Sequence, residues 1–278
     1  QRLRLTMEAV LERLGALHGH LVDLGCGGGE LGAHAAGLGF ETVGVDMASG
    51  MVEEAERRRR ALPEAVQRRL RFHVGDALAS GLPAGAADAV TAIGLVEYLD
   101  GDDAFFAEAA RLLRPGGVLV VSCRNRLFNL ASLNDYTRGE IEAGAAGALL
   151  DELRGLAPDA AARDNLKEVG ARLREAAAGL EEALAEDTVE AGHASAPAEV
   201  PAFARPRRQH TPRGLAAAAA RREFGAPAFF AAHPHPLPPA FEAIAPRFYN
   251  RLAAVLEPLE RTPASLAWSS AFLGVFTR

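Results

Sequence analysis

The sequence predicts an α/β fold built on a doubly wound, mostly parallel sheet. Three observations carry this. Apolar runs at Leu21–Gly25, Glu41–Asp46, Leu70–Asp76, Ala87–Gly94 and Val118–Arg124 have the length and β-branched content of buried strands. Segments of helical spacing separate them, the pattern of βαβ units. The run "LVDLGCGGGE", Leu21–Glu30, sets glycine at positions 25, 27, 28 and 29 directly behind the first strand. Glycine accepts positive φ and lets another molecule approach the backbone.

Taken in order, Thr6–Leu17 has the helical spacing Met7, Val10, Leu11, Leu14, and the first strand follows at Leu21–Gly25. Glu30–Leu38 reads as a helix and "ETVGVD" as the second strand. Ser49 is the expected cap of a helix running through Met51, Val52 and Ala55 to Leu62. "LRFHVGD" and "ADAVTAIG" are the third and fourth strands. Asp102–Leu113 is helical, with "RPGG" at Arg114–Gly117 as its stop, and "VLVVSCR" is the fifth strand. From about Arg126 to Pro206 no strand is expected: Asp151–Leu156 and Asn165–Leu184 read as helices and Pro197–Pro206 as linker. Thr211 is the expected cap, with Pro212 in first position, of a helix to Phe224. Ala226–His233 is a strand, Pro239–Leu256 a helix, and "LAWSSAFLGVFTR" the closing strand. The expected division is 1–125, a mainly helical insertion or lid at 126–206, and 207–278 completing the sheet.

With 278 residues and 49% apolar content, one large core or one core with an insertion is affordable. A net charge of −6 argues against general nucleic-acid binding. Lys167 is the only lysine; arginine carries the remaining positive charge. Residues 140–199 hold 14 Asp/Glu against 5 Lys/Arg, read either as a solvated helical face or as an acidic lid favouring a cationic substrate. Cys26 and Cys123 suit neither a disulfide framework nor a metal site. No signal peptide or membrane-spanning run is found, so a cytoplasmic protein without membrane partners is expected. The chain begins at Gln1 without Met, so preceding residues are expected to be missing.

The glycine turn narrows the ligand. A nicotinamide-dinucleotide fingerprint places its third glycine where Glu30 stands, and a P-loop needs a Gly-Lys pair that is absent. Asp46, 21 residues beyond Gly25, suits a ribose diol. Asp23, Asp46 and Asp76 fall at three successive strand ends, which in a doubly wound sheet line one crevice.

In their order, "LVDLGCGGGE", "VGVDMASGMVEEAE", "RFHVGDAL", "ADAVTAIGLVEYL" and "LLRPGGVLVVS" resemble the class I S-adenosylmethionine-dependent methyltransferases. The resemblance covers about Gly19 to Arg124 and is weaker from Arg208 onward. It implies a Rossmann-like seven-stranded sheet with an antiparallel last strand and S-adenosyl-L-methionine as cofactor. It further implies that Gly25, Gly27 and Gly29, with Cys26 between them, underlie the methionyl part, with Asp23 near its amino group. Asp46 is then expected on the ribose, Met47 by the adenine, Asp76 and Ala77 at the adenine edge, and Gly94, Leu95 and Glu97 toward the transferred methyl.

A sulfonium methyl is transferred by in-line displacement, so alignment and a water-poor site matter most, and a base only where the nucleophile arrives protonated. Candidates for acceptor contact or base are His233, His235, Tyr136 and Glu97. "HPHPLPP", His233–Pro239, also reads as a structural loop or, less readily, a metal pair; no metal site is expected. The polar groups of Asn125–Glu142 read as acceptor contacts or as loop-backbone partners, and "ERRRR" at Glu56–Arg60 as a solvated face. The Asn-Pro-Pro-aromatic run of many amide and nucleobase N-methyltransferases is absent; "GLVEYL" stands there. The expected function is methyl transfer to oxygen or nitrogen of a small-molecule acceptor, with specialised metabolism as an expected setting. A nicotinamide-dependent oxidoreductase and a non-catalytic S-adenosylmethionine-binding regulator are the alternatives.

Overall fold

A computed structural model describes residues 2–156, 160–191 and 207–278. Seven strands form one sheet: β1 His20–Leu24, β2 Glu41–Asp46, β3 Leu70–Val74, β4 Ala87–Ile93, β5 Leu113–Arg124, β6 Ala228–Pro234 and β7 Ser269–Thr277. Their order is β3-β2-β1-β4-β5-β7-β6. The pairs β1–β2, β2–β3, β1–β4 and β4–β5 are parallel. β7 is antiparallel: Gly116 N bonds Arg278 O while Asn125 N, nine residues on, bonds Ser270 O. This is the Rossmann-like arrangement expected from the sequence.

The helices are α1 Arg2–Leu14, α2 Glu30–Leu38, α3 Ser49–Arg60, α4 Glu64–Gln67, α5 Asp103–Leu112, α6 Asp135–Glu142, α7 Ala146–Arg154, α8 Ala160–Ala191, α9 Pro212–Ala220, α10 Ala240–Ile244 and α11 Pro246–Val255. The chain divides into two compact units. The first comprises 1–124, 208–229 and 273–278; the second comprises 125–207 and 230–272. β6 and β7 therefore contribute residues to both.

In the first unit the core is the sheet and the helices laid on it. β1 and β4 are buried almost throughout, the signature of strands covered on both faces. α5 buries Phe105, Phe106, Ala109 and Leu112 on one stripe. Phe106, Phe224 and Phe276 meet edge to face, with ring centroids 5.8–6.0 Å apart. Glu108, on the same helix, is buried but fully bonded: it accepts from Ser80 N at 2.9 Å and from the Arg111 guanidinium at 2.7 Å.

The second unit is mainly helical, and no strand lies wholly within it among the described residues. Val169 of α8 packs with Val255 and Leu259. Buried Asp187 of α8 accepts from Arg247 N at 3.2 Å and Phe248 N at 2.9 Å, a carboxylate placed on the free N–H groups that start α11.

Several boundaries differ from the sequence reading. The first helix ends at Leu14, where Gly15 turns to φ 64°. Ser49 lies inside α3 rather than capping it; Ala48 is the cap, and its N–H is taken by Asp46 Oδ1 at 2.9 Å. The helix before Arg114–Gly117 does stop, at Leu112, but that run is not a loop. It is the start of β5, because β7 supplies partners: Gly116 N to Arg278 O at 2.8 Å and Arg278 N to Gly117 O at 2.9 Å. The helix after Thr211 stops at Ala220, and Glu223 takes φ 63°. The expected helix 239–256 is two helices, since Ala245 precedes Pro246 and is forced out of the helical region to φ −142°. The third strand ends at Val74, so Asp76 lies beyond it in a turn bridged to Ala79. The sixth strand, expected at Ala226–His233, runs from Ala228 to Pro234. The linker reading of 197–206 falls outside the described residues.

Gly44, at the centre of β2, has no room for a side chain: a Cβ there would sit 2.4 Å from Phe72 Cδ1 and 2.9 Å from Cys26 Cβ. Gly44→Ala is expected to destabilise the fold by about 1–3 kcal/mol through overpacking, read as a lowered urea midpoint with unchanged slope.

Candidate functional site

The glycine turn after β1 is hung on the end of β2. Gly25 N and Cys26 N both donate to Val45 O, at 2.8 and 3.1 Å, and Gly27 N donates to Asp46 Oδ2 at 2.9 Å. Gly25, Gly27 and Gly29 hold φ of 69°, 51° and 78°, a left-handed backbone that other residues enter only at a cost. Two of the three are also crowded: a Cβ would come within 2.9 Å of Leu95 Cδ1 at Gly25 and within 2.6 Å of Phe72 Cζ at Gly29. The result is a bare backbone surface that runs into the N-terminus of α2.

Asp46 ends β2 with each carboxylate oxygen accepting one backbone N–H, Oδ1 from Ala48 and Oδ2 from Gly27. Each oxygen keeps a second lone pair. Met47 beside it is 80% exposed and Val74, at the end of β3, is 55% exposed. Gly75 N donates to Asp46 O at 3.0 Å, which brings the turn after β3 to the same edge. There Asp76 Oδ1 accepts from Leu78 N at 2.8 Å, and Ala77 is buried. After β4, Gly94 takes φ 74° and donates to Ser122 Oγ at 2.7 Å. Leu95 then reaches Gly25, and Glu97 lies on the following 3-10 turn. Asp23, Gly25, Cys26, Gly27, Gly29, Asp46, Met47, Asp76, Ala77, Gly94 and Glu97 are thus all gathered around the carboxyl ends of β1–β4 in the first unit.

Asp23 is the unusual member. It lies within β1, is buried, and its Oδ1 accepts from Thr91 Oγ1 of the neighbouring strand at 2.7 Å. Burial, countered by the Thr91 bond but reinforced by the charges of Asp46 and Glu30, pushes its carboxyl up to about 7. Burial likewise pushes the Cys26 thiol far above its ordinary value, aided by the charges of Asp23 and Asp46, so Cys26 is no nucleophile. Glu30, at the third position of a dinucleotide fingerprint, pairs instead with Arg58.

Tyr136, His233 and His235 lie in the second unit. Tyr136 is half exposed on α6, and His233 holds φ 68° within β6. His235 is stacked on Phe128 at 4.8 Å, and both its nitrogens are engaged. Tyr249 Oη donates to Leu237 O at 2.9 Å and so accepts from His235 Nδ1; Nε2 then accepts from Ser270 Oγ at 2.7 Å. Burial lowers the His235 pKa. The polar residues after β5 are internally spoken for. Asn125 bonds Leu266 O and Ser269 O, Arg126 and Asn129 hold Glu140, and Asn134 forms a capping box with Thr137 on α6. Among the described residues no group of three His, Cys, Asp or Glu suits a metal ion, and no helix is long and apolar enough to cross a membrane.

Sequence reading missed Thr91, Tyr249 and Ser270, whose partners are distant in the chain. It also missed a charged cluster in the first unit: Asp102, which precedes α5, bound by Arg208 and His210.

Residues 22–121 match a family described as a methyltransferase domain, and these residues fall wholly within the first unit. Over these residues the chain is similar to a methyltransferase domain. The ubiquinone biosynthesis O-methyltransferases of Xanthomonas oryzae pv. oryzae (strain PXO99A) and Xanthomonas axonopodis pv. citri (strain 306) are 35% and 36% identical to it over 120 residues. Each alignment covers 43% of this chain and 49% of the relative, so the chain spans about half the length of the curated relatives it matches. Two solved structures share the fold across nearly the whole chain. An S-adenosylmethionine-dependent methyltransferase from Mesorhizobium loti has a TM-score of 0.51 at 15% identity, covering 94% of this chain and 91% of its own. The methyltransferase domain of bacterial CtHen1-CN has a TM-score of 0.51 at 16% identity, with 100% and 97% covered.

Asp23 makes a signed pH prediction for the first unit. Its folded pKa of about 7 stands above the ordinary 3.8, so between those values the folded chain holds a proton that the unfolded chain releases. Its contribution to stability therefore falls as pH rises from about 4 to 7, by at most roughly 4 kcal/mol. Asp23→Asn cannot ionise and should flatten that fall. Urea midpoints of both proteins at pH 5 and 7.5 check this; equal pH dependence would show that Asp23 titrates normally.

Proposed function

We propose that this chain is a methyltransferase that binds S-adenosylmethionine at the carboxyl ends of β1–β4 and methylates an oxygen of a small organic acceptor. The observation that carries the reading is the left-handed turn Gly25–Gly29 held against Asp46. The residues present fit the group: a bare backbone for the methionyl chain, a carboxylate with spare lone pairs for the ribose diol, and exposed Met47 and Val74 for the adenine face. Asp76 and the Ala77 backbone serve the adenine edge, and Asp23, ionising as it meets a cation, serves the amino group. Gly94 and Glu97 flank the reacting side. When bound, S-adenosylmethionine supplies an electrophilic methyl group on a sulfonium.

Oxygen is preferred over nitrogen because the curated relatives are named O-methyltransferases. A role in specialised metabolism is consistent with a small-molecule acceptor. His235, with both nitrogens engaged, serves in this reading to hold the second unit together.

The chain's own contribution is binding, alignment and exclusion of water. Asp46→Ala removes the ribose acceptor and is expected to weaken S-adenosylhomocysteine binding by roughly 2–4 kcal/mol, the worth of two charge-assisted hydrogen bonds. Calorimetry on wild type and variant tests this, with circular dichroism to confirm that the variant is folded. A folded variant of unchanged affinity would overturn the assignment.

A further inference from the structure

The connection from β3 to β4, residues 75–86, crosses over β2 and β1 without a helix. Parallel strands are ordinarily joined through a helix, which covers the sheet face it crosses. The chain steps outward from β1 to β3 and then turns back to β4, so right-handed crossovers put this connection on the face opposite α2 and α3. The side chains agree. A Cβ at Gly32 of α2 would lie 3.2 Å from Leu70 Cδ1 and 3.3 Å from Phe72 Cε1, so Leu70 and Phe72 point toward α2. Side chains alternate along a strand, so Arg69 and Arg71 point to the face that the connection crosses. A cavity of about 370 Å³ lies there, at the amino ends of the strands, away from the glycine turn. Its size is that of a small-molecule site.

Strand register dictates what lines it. Val22 of β1 pairs with Val43 of β2, and Val43 with Arg71 of β3, one row across the sheet. In the row nearer the amino ends His20 pairs with Glu41. Arg69 adjoins Glu41, since Thr42 pairs with Leu70. The first row is an apolar floor that ends in a cation, and the second is a polar rim. Leu82 and Pro83 of the connection form the facing wall. That wall is fastened to α5: Ser80 N donates to Glu108 Oε1 at 2.9 Å, Arg111 Nη1 to Leu82 O at 2.7 Å, and Gly85 N to Arg111 O at 2.9 Å. The guanidinium groups of Arg58, Arg111 and Arg208 are each held by a carboxylate. Those of Arg69 and Arg71 have no hydrogen bond or ion pair among the described residues, and neither has the Glu41 carboxylate. Two guanidinium groups against one carboxylate leave the slot with a formal excess of one positive charge.

We propose that this slot is a second ligand site, separate from the crevice at the carboxyl ends, and that it takes a flat aromatic monocarboxylate. The ring lies on Val22 and Val43 against Leu82 and Pro83. The carboxylate lies on the Arg71 guanidinium, with Arg69 beside it. A planar guanidinium matches a carboxylate with two parallel hydrogen bonds, and its open, unpaired state here leaves no ion pair to break first. Glu41 repels a second negative charge, so a monoanion is favoured over a phosphate dianion. The ring covers apolar surface that a crossover helix would otherwise bury. The proposal stands whether or not the crevice at the other end binds S-adenosylmethionine.

The probe is 2-naphthoate, titrated into the full chain and followed by methyl NMR. The proposal predicts one ligand per chain with a dissociation constant of about 1 mM or tighter, the ordinary yield of a ligand of this size. The methyl resonances of Val22 and Val43 should move, and that of Met47, at the opposite end of β2, should not. Arg71 is exposed, so Arg71→Gln should keep the fold, which circular dichroism checks, and should weaken binding about 10–100-fold. Neutral 2-naphthamide at the same concentration should barely move the two valines, and inorganic phosphate should not displace 2-naphthoate. Five results would each overturn the site: no binding of 2-naphthoate, equal binding of the amide, displacement by phosphate, unchanged affinity in Arg71→Gln, or shifts at Met47 in place of the valines. Affinity that falls as chain concentration rises would show that a second copy covers this face, and would overturn it too.

Discussion

The arrangement depends on one local constraint: a left-handed turn that only glycine makes readily, fastened to the neighbouring strand. Gly25 N and Cys26 N share Val45 O, and Gly27 N takes an oxygen of Asp46. Because the anchor is the end of β2, the turn inherits the rigidity of a parallel sheet buried on both faces. Close packing fixes it further, with Phe72 filling the space at Gly29 and Gly44 and Leu95 closing on Gly25. The same few bonds leave Asp46 with spare lone pairs and an open backbone beside it. The candidate binding surface and the fold therefore rest on the same set of contacts.

Two carboxylates of the first unit show how surroundings decide charge. Asp23 is buried with one hydroxyl donor, Thr91, and with two negative neighbours; its carboxyl is pushed up to about 7. Asp102 is also penalised by burial, but a guanidinium and an imidazole bind it, and it stays ionised. Desolvation dominates where donors are few and loses where they are charged and well placed. The first carboxyl suits a site that receives a cation, and the second suits a buried anchor that ties Arg208 and His210 together.

Much of the first unit was legible in the sequence because its signals are local. Buried strands are short apolar runs, the glycines stand next to one another, and Asp46 ends a strand at the expected interval. What escaped depended on partners far along the chain. Arg114–Gly117 reads as a breaker, yet β7, some 160 residues later, gives it strand partners. His210 and Asp102 are 108 residues apart, and neither residue type is informative alone. Within the second unit helices were visible from spacing, but not the bonding of Asn125, Arg126 and Asn129, nor that His235 is occupied by Tyr249 and Ser270. Single-residue errors had local causes that a stricter reading could catch, such as the break before Pro246.

The central claim is that the glycine turn and Asp46 select an S-adenosyl sulfonium ligand and not a dinucleotide, although a Rossmann-like sheet serves either. Glu30, paired with Arg58, occupies the position where a dinucleotide site needs its third glycine. Equilibrium dialysis of wild type with labelled S-adenosylmethionine, with and without excess NAD, measures that choice directly. The account predicts one ligand per chain, displaced by S-adenosylhomocysteine and untouched by NAD. Displacement by NAD, or a folded protein that binds neither S-adenosyl compound, would contradict it.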